Sequence, residues 1–208
     1  MTFTETPLSG AFVIRPKQVA DDRGLFARTW CRNEFAARGL ETRIAQCSTS
    51  SNRKKGTLRG LHYQAPPFGE TKLVRCTRGS IYDVIVDLRP TSPTFMRHFC
   101  VVLTADERTM IHVPAGLAHG FQTLEDHTEV FYQISEFHSP EYARGVRWND
   151  PAFGIQWPDD DRIMTDQDRN YHDFHPGMVA EPVPRQNLRS GATAAEGPQT
   201  ETVDRTGT

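Results

Sequence analysis

Short runs rich in Val, Ile, Phe and Tyr recur along the chain between clusters of Gly, Pro, Asn and Asp, and this pattern restricts the fold more than any other feature. The runs are GAFVI, FARTW, RIAQC, TLRGLHYQ, TKLVRCT, SIYDVIVDL, FMRHFCVVL, TMIHV, HGFQTL and EVFYQIS, separated by connectors such as QAPPFGE, RGS, RPTSPT and PAGLA. Only RNEFAAR, at 32–38 ahead of Gly39, reads as a helix, with a second short one near 159–169. Many strands, few helices and no internal repeat predict an all-β fold, an antiparallel sandwich or barrel.

A chain of 208 residues accommodates one core of ordinary size. From Pro182 onward there is no aromatic residue and too little aliphatic surface to offset the entropy of ordering, so the reading is a single domain over 1–178 and a disordered tail over 179–208. A formal net charge of -2 argues against a general nucleic-acid binder, although a local cluster of cations can still hold a small anion. No apolar run approaches the roughly 18 residues of a membrane span, and the start, MTFTETPLSG, has no basic and apolar leader; the expectation is a cytoplasmic protein with no membrane partner. Four widely spaced cysteines, Cys31, Cys47, Cys76 and Cys100, read as reduced, buried small hydrophobes.

Strand parity gives the first hint of a site. In 81–88, Tyr82, Val84, Val86 and Leu88 share one face, and Ile81, Asp83, Ile85 and Asp87 share the other. Acids mixed with isoleucines suit either a partly polar cavity or an edge wetted by solvent. Lys72 shares a face with Val74 and Cys76, either snorkelling to a rim or pointing into a pocket.

His62 has three readings: metal ligand, proton-transfer base or ordinary strand residue. A metal-binding barrel wants a second histidine two residues on, and that position is Gln64; His119 is present later, but the first half of the ligand set is broken, so neither metal nor cofactor is expected. As a base, His62 has the side chain best suited to neutral pH, and Asp83, Asp87, Asp166 and Asp168 all qualify as its carboxylate partner by type. Tyr132 is a natural complementary acid, Lys72 a natural stabiliser of an oxyanion, and Arg23 and Arg59 are suited to phosphate.

These residues sit within longer stretches: DDRGLF at 21–26, RGLHYQ at 59–64, KLVRCTRGSIYDVIVDLRPTSPTF at 72–95, VPAGLAHGFQTL at 113–124 and RGVRWNDPAFGIQWP at 144–158. In order and spacing they closely resemble the dTDP-4-dehydrorhamnose 3,5-epimerase family over roughly residues 10–170. The resemblance implies a cupin-like jelly roll, a homodimer, no metal, and epimerisation of a nucleotide-diphosphate sugar at C3 and C5 in deoxysugar biosynthesis. It implies His62 as proton acceptor, Tyr132 as proton donor and Asp168 as the carboxylate paired with His62. Lys72, His119 and Asp83 match positions around the sugar, and Arg23 and Arg59 match positions that hold the diphosphate. His138 stands where the family has a tyrosine against the nucleobase. Arg28, Ala143, Gln167 and the segment QCSTSSNRKKG at 46–56 also depart from the family wording, which leaves the nucleotide and sugar open, together with action at C3 alone.

Overall fold

The strand-like runs pair into two large antiparallel sheets and one two-stranded hairpin in the computed structural model, which describes residues 1–180. In chain order the strands are β1 Thr2–Glu5, β2 Phe12–Arg15, β3 Gln18–Asp21, β4 Gly24–Ala27, β5 Gln46–Asn52, β6 Leu58–Gln64, β7 Lys72–Arg78, β8 Ser80–Asp87, β9 His98–Thr104, β10 Met110–Val113, β11 Leu117–Thr123, β12 Thr128–Ile134 and β13 Ala143–Gly145. The helices are α1 Arg32–Ala36, α2 Asp166–Arg169 and α3 Gly177–Ala180. Of the tail expected over 179–208, residues 181–208 lie outside the described residues.

One sheet runs β1-β2-β10-β7-β12-β5 and the other β13-β6-β11-β8-β9. They face each other as the cupin-like jelly roll that the sequence implies. Between them lies an apolar layer: Val74, Cys76, Ile111, Val113 and Val130 from the first sheet meet Ile81, Ile85, Leu103, Leu117 and Phe121 from the second. This layer fills part of the sandwich and leaves the remainder as an open cavity.

The two faces of β8 are both buried. Ile81, Asp83 and Ile85 point between the sheets, and Asp83 and Asp87 are 0% exposed, so the wetted-edge alternative does not hold. Val84, Val86 and Leu88 point outward but lie under Val146, Phe153, Ile155 and Phe174. On the other sheet's outer surface, Phe35 of α1 packs with Ile14, Leu73 and Met110. Burying a side chain of that size contributes roughly 1.5–3 kcal/mol.

Several sequence expectations shift. FARTW is strand only over its first two residues: β4 runs Gly24–Ala27 and ends there, and the β3–β4 hairpin pairs with no other strand. The expected 159–169 helix shrinks to α2, because Thr165 caps it by accepting from the Asp168 amide, and the acids before it form turns instead. QCSTSSN, polar throughout, is nonetheless strand β5, held at full length against β12. The cysteines are all free, but only Cys76 is buried, and Cys47 is exposed because β5 ends its sheet.

Candidate active site

A cavity of about 810 Å³ opens between the sheets, and the word LRGLHYQ supplies its floor. In a regular strand Arg59 and His62, three apart, face opposite ways. Here β6 and β11 change register: His119 pairs with His62 and Phe121 with Arg59, so three steps on β6 match two on β11. This bulge turns Arg59 and His62 to the same side, and both line the cavity. Gly60 makes it possible, with φ +122° and its Cα against Gly120.

Asp168 reaches His62 from α2. Its Oδ1 lies 2.7 Å from His62 Nε2, and its Oδ2 accepts from the Gly60 amide at 3.5 Å. Burial pushes the Asp168 carboxyl upward, but the contacts with His62 and Gly60 outweigh it and bring it below its ordinary value. An ionised carboxylate only accepts, so the proton of a neutral His62 ring sits on Nε2 and the free lone pair on Nδ1. Spacing alone left four acids open, and the fold selects Asp168.

The opposite wall comes from the other sheet. Tyr132 of β12 and Lys72 of β7 line the same cavity on neighbouring, antiparallel strands. Burial, then the nearby Asp83 carboxylate, push the Tyr132 phenol far above its ordinary range, with Arg59 pulling the other way. The phenol therefore stays protonated at any physiological pH. His119 of β11 packs its ring against Tyr132 at 6.0 Å, and Asp83 of β8 holds the His119 Nε2 at 2.8 Å. Burial raises the Asp83 carboxyl, opposed by His119 and Lys72.

Arg59 donates from Nε to Asn52 Oδ1 at 2.8 Å, and Asn52 is itself buried and bonded to the Ser50 and Thr128 carbonyls. Among the described residues Arg59 has no acidic partner, which leaves its charge for an anion. His138 lines the cavity mouth. Gln64 takes a structural part: its amide donates to the Phe68 and Phe137 carbonyls and accepts from the Ser139 amide. Among the described residues no three His, Cys, Asp or Glu side chains gather as metal ligands.

Arg23 is not brought to this cavity. It sits at the β3–β4 turn, its side chain 90% exposed and paired with Asp21 at 2.6 Å. Sequence reasoning missed several lining residues: Gln46, Ser48 and Ser50 of β5, Glu70 beside Lys72, and Tyr171, whose ring lies 6.1 Å from that of His62. Their signal was parity, since Gln46, Ser48 and Ser50 pair in register with Ile134, Tyr132 and Val130.

Known proteins are similar to this chain in sequence and in fold. A family model described as dTDP-4-dehydrorhamnose 3,5-epimerase matches residues 5–175. The dTDP-4-dehydrorhamnose 3,5-epimerase of Methanothermobacter thermautotrophicus is 43% identical over 173 residues, 81% of this chain and 92% of that protein. The crystal structure of dTDP-4-dehydrorhamnose 3,5-epimerase from Bacillus anthracis, with TDP and PPi bound, matches with a TM-score of 0.81 at 39% identity, covering 83% of this chain and 99% of that one. ChmJ, a 3'-monoepimerase from Streptomyces bikiniensis in complex with dTDP-quinovose, matches with a TM-score of 0.73 at 34% identity, over 78% and 83% of the two chains. Sequence, topology and the match over most of its length together establish that the chain belongs to the dTDP-4-dehydrorhamnose 3,5-epimerase family.

Proposed function

We propose that the protein epimerises a nucleotide-linked 4-keto-6-deoxyhexose at C3 and C5 in deoxysugar biosynthesis, with His62 as base, Tyr132 as acid and Asp168 orienting the base. The observation that carries this reading is the placement of His62 and Tyr132 on opposed sheets across one cavity, with Asp168 2.7 Å from the imidazole. The ketone acidifies the C–H bonds beside it. His62 Nδ1 takes a proton from one face, and the electron pair moves onto the ketone oxygen as an enolate. Lys72 and His119 stabilise that oxygen. Tyr132 then gives its phenolic proton to the carbon from the other face, and the centre is inverted; solvent restores both groups. Asp83 keeps the His119 ring in place. Removing the carboxylate-held base is expected to cost the 10²–10⁴-fold typical of general acid–base groups.

Arg59 holds the diphosphate and His138 the nucleotide end. Arg23 fits this scheme when a second copy supplies it. The hairpin that carries it exposes Val19, Leu25 and Phe26, the last at 72%, apolar surface suited to burial against another copy. The functional unit is accordingly a homodimer, and a sedimentation mass equal to one chain at working concentration would remove both the dimer and this role of Arg23.

The resemblance to a 3'-monoepimerase favours a second reading, inversion at C3 alone, which uses the same base and acid. The test follows deuterium by NMR during incubation with dTDP-4-keto-6-deoxyglucose in heavy water. Incorporation at C3 and C5 supports the double epimerase, and incorporation at C3 alone the second reading. His62→Ala should slow incorporation by about 10²–10⁴-fold while nucleotide binding, measured by calorimetry, persists. Absence of incorporation with the folded wild-type protein refutes both.

A further inference from the structure

Glu70 and Lys72 lie on the cavity side of the chain as it enters β7, their charged ends 2.8 Å apart. Their side chains are only 11% and 12% exposed. Two charges so far withdrawn from water lose several hydration contacts each, and a single ion pair seldom restores that loss. Among the described residues neither side chain makes a further hydrogen bond to the protein. The ammonium keeps two N–H groups and the carboxylate keeps an oxygen for whatever fills the cavity.

We infer that Glu70 is a specificity-determining residue that accepts a hydrogen bond from the hydroxyl next to the substrate ketone, while Lys72 donates to the ketone oxygen. This rests on the epimerase reading above. A 4-keto-6-deoxyhexose in its pyranose form has one hydroxyl adjacent to its ketone, on C3, because the oxygen on C5 is the ring oxygen. A hydroxy-ketone presents a donor and an acceptor on neighbouring carbons, and the Glu70–Lys72 pair presents the complementary acceptor and donor a hydrogen-bond length apart. A carboxylate cannot donate, so a sugar with no donor on C3 leaves Glu70 desolvated with nothing to accept from. Lys72 and Tyr132 share the inward face of the adjacent strands β7 and β12, so the same pairing fixes the ring against the acid. Glu70 thereby reads the substrate and Lys72 serves the chemistry.

The test compares kcat/KM for solvent-deuterium incorporation beside the ketone, using dTDP-4-keto-6-deoxyglucose and its 3-deoxy analogue. Both substrates carry the ketone that Lys72 contacts, so any disturbance of Lys72 cancels in the ratio. The wild-type protein should favour the hydroxylated sugar by about tenfold to a hundredfold, the usual range for a hydrogen bond to a charged group. Glu70→Ala should bring the ratio close to one, and Glu70→Gln, almost isosteric and able to accept more weakly, should lower it several-fold even where the alanine variant folds poorly. An unchanged ratio in the folded Glu70 variants, or no preference in the wild type, overturns the inference and leaves the epimerase reading standing. No incorporation by the wild type on either sugar overturns both.

Discussion

An added methyl group at Gly60 meets two obstacles at once. The residue has φ +122°, a region essentially closed to alanine, and a Cβ there would lie 2.5 Å from Gly120 Cα and 2.9 Å from the His119 carbonyl oxygen. Both obstructing atoms are backbone of β11, so no rotamer change relieves them. The backbone strain amounts to about 1–3 kcal/mol and the overpacking to a similar 1–3 kcal/mol. Their sum, roughly 2–6 kcal/mol, is a large share of the 5–15 kcal/mol typical of a domain and corresponds to a fall in Tm on the order of 5–20 °C. The cheapest relief is to part β6 from β11 at the bulge, which moves Arg59, His62 and the Gly60 amide that Asp168 accepts from. A displacement of about 1 Å at a reacting group costs on the order of a hundredfold in rate. Gly60→Ala should therefore lose both stability in urea denaturation and deuterium incorporation in the NMR assay. Gly24→Ala is the control: φ +129° with nothing within 4 Å, so it carries backbone strain without the collision. If Gly60→Ala loses no more stability than Gly24→Ala and retains the wild-type rate, the close-packed bulge does not hold the site together and the reasoning fails.

At Gly145 an added Cβ would collide with the Tyr171 ring, and Gln167 of α2 donates to the Tyr171 hydroxyl. Gly145→Ala should push Tyr171 and α2 away from β6, lowering kcat about tenfold to a hundredfold, and adding Tyr171→Ala should recover part of that loss; additive losses in the cycle would show the two are unconnected. Asp87 sets an acid limit on stability. Burial pushes its carboxyl up, but hydrogen bonds from Arg89, Ser92 and Thr94 outweigh it and bring it down to about 2, against an ordinary value of 3.8. Because the folded value is depressed, its stabilisation is present above about pH 4 and disappears as pH falls toward 2, on the order of 2 kcal/mol. Urea midpoints measured across that window should fall less steeply for Asp87→Asn than for the wild type, and parallel slopes would refute the assignment.

Much of the site is marked by residue chemistry alone. His62, Lys72, His119, Tyr132 and Asp168 do converge, and Asp83 does face inward from a strand whose alternation suggested it. Arg23 was read from its chemistry as a diphosphate contact, but its hairpin stands apart from the cavity. Glu70 gave no local signal, and the alternation of Gln46, Ser48 and Ser50 was masked because a polar strand on a cavity wall looks, in sequence, like a polar loop. No helix among the described residues is long and apolar enough to cross a membrane.

By itself the sequence determined the strand-rich class, most strand positions and the family, because alternation and turn chemistry are local and the motif words are long. The family resemblance pointed to Asp168, but residue chemistry left four acids open, and only the tertiary structure showed which of them meets His62 and which way Arg59 points. A strand's period of two predicts that Arg59 and His62 face apart, and a bulge formed by the meeting of Gly60 and Gly120 from distant parts of the chain reverses that. Asp168 is likewise 106 residues from His62, and a contact over that separation is set by how the sheets and α2 pack, which no local pattern encodes.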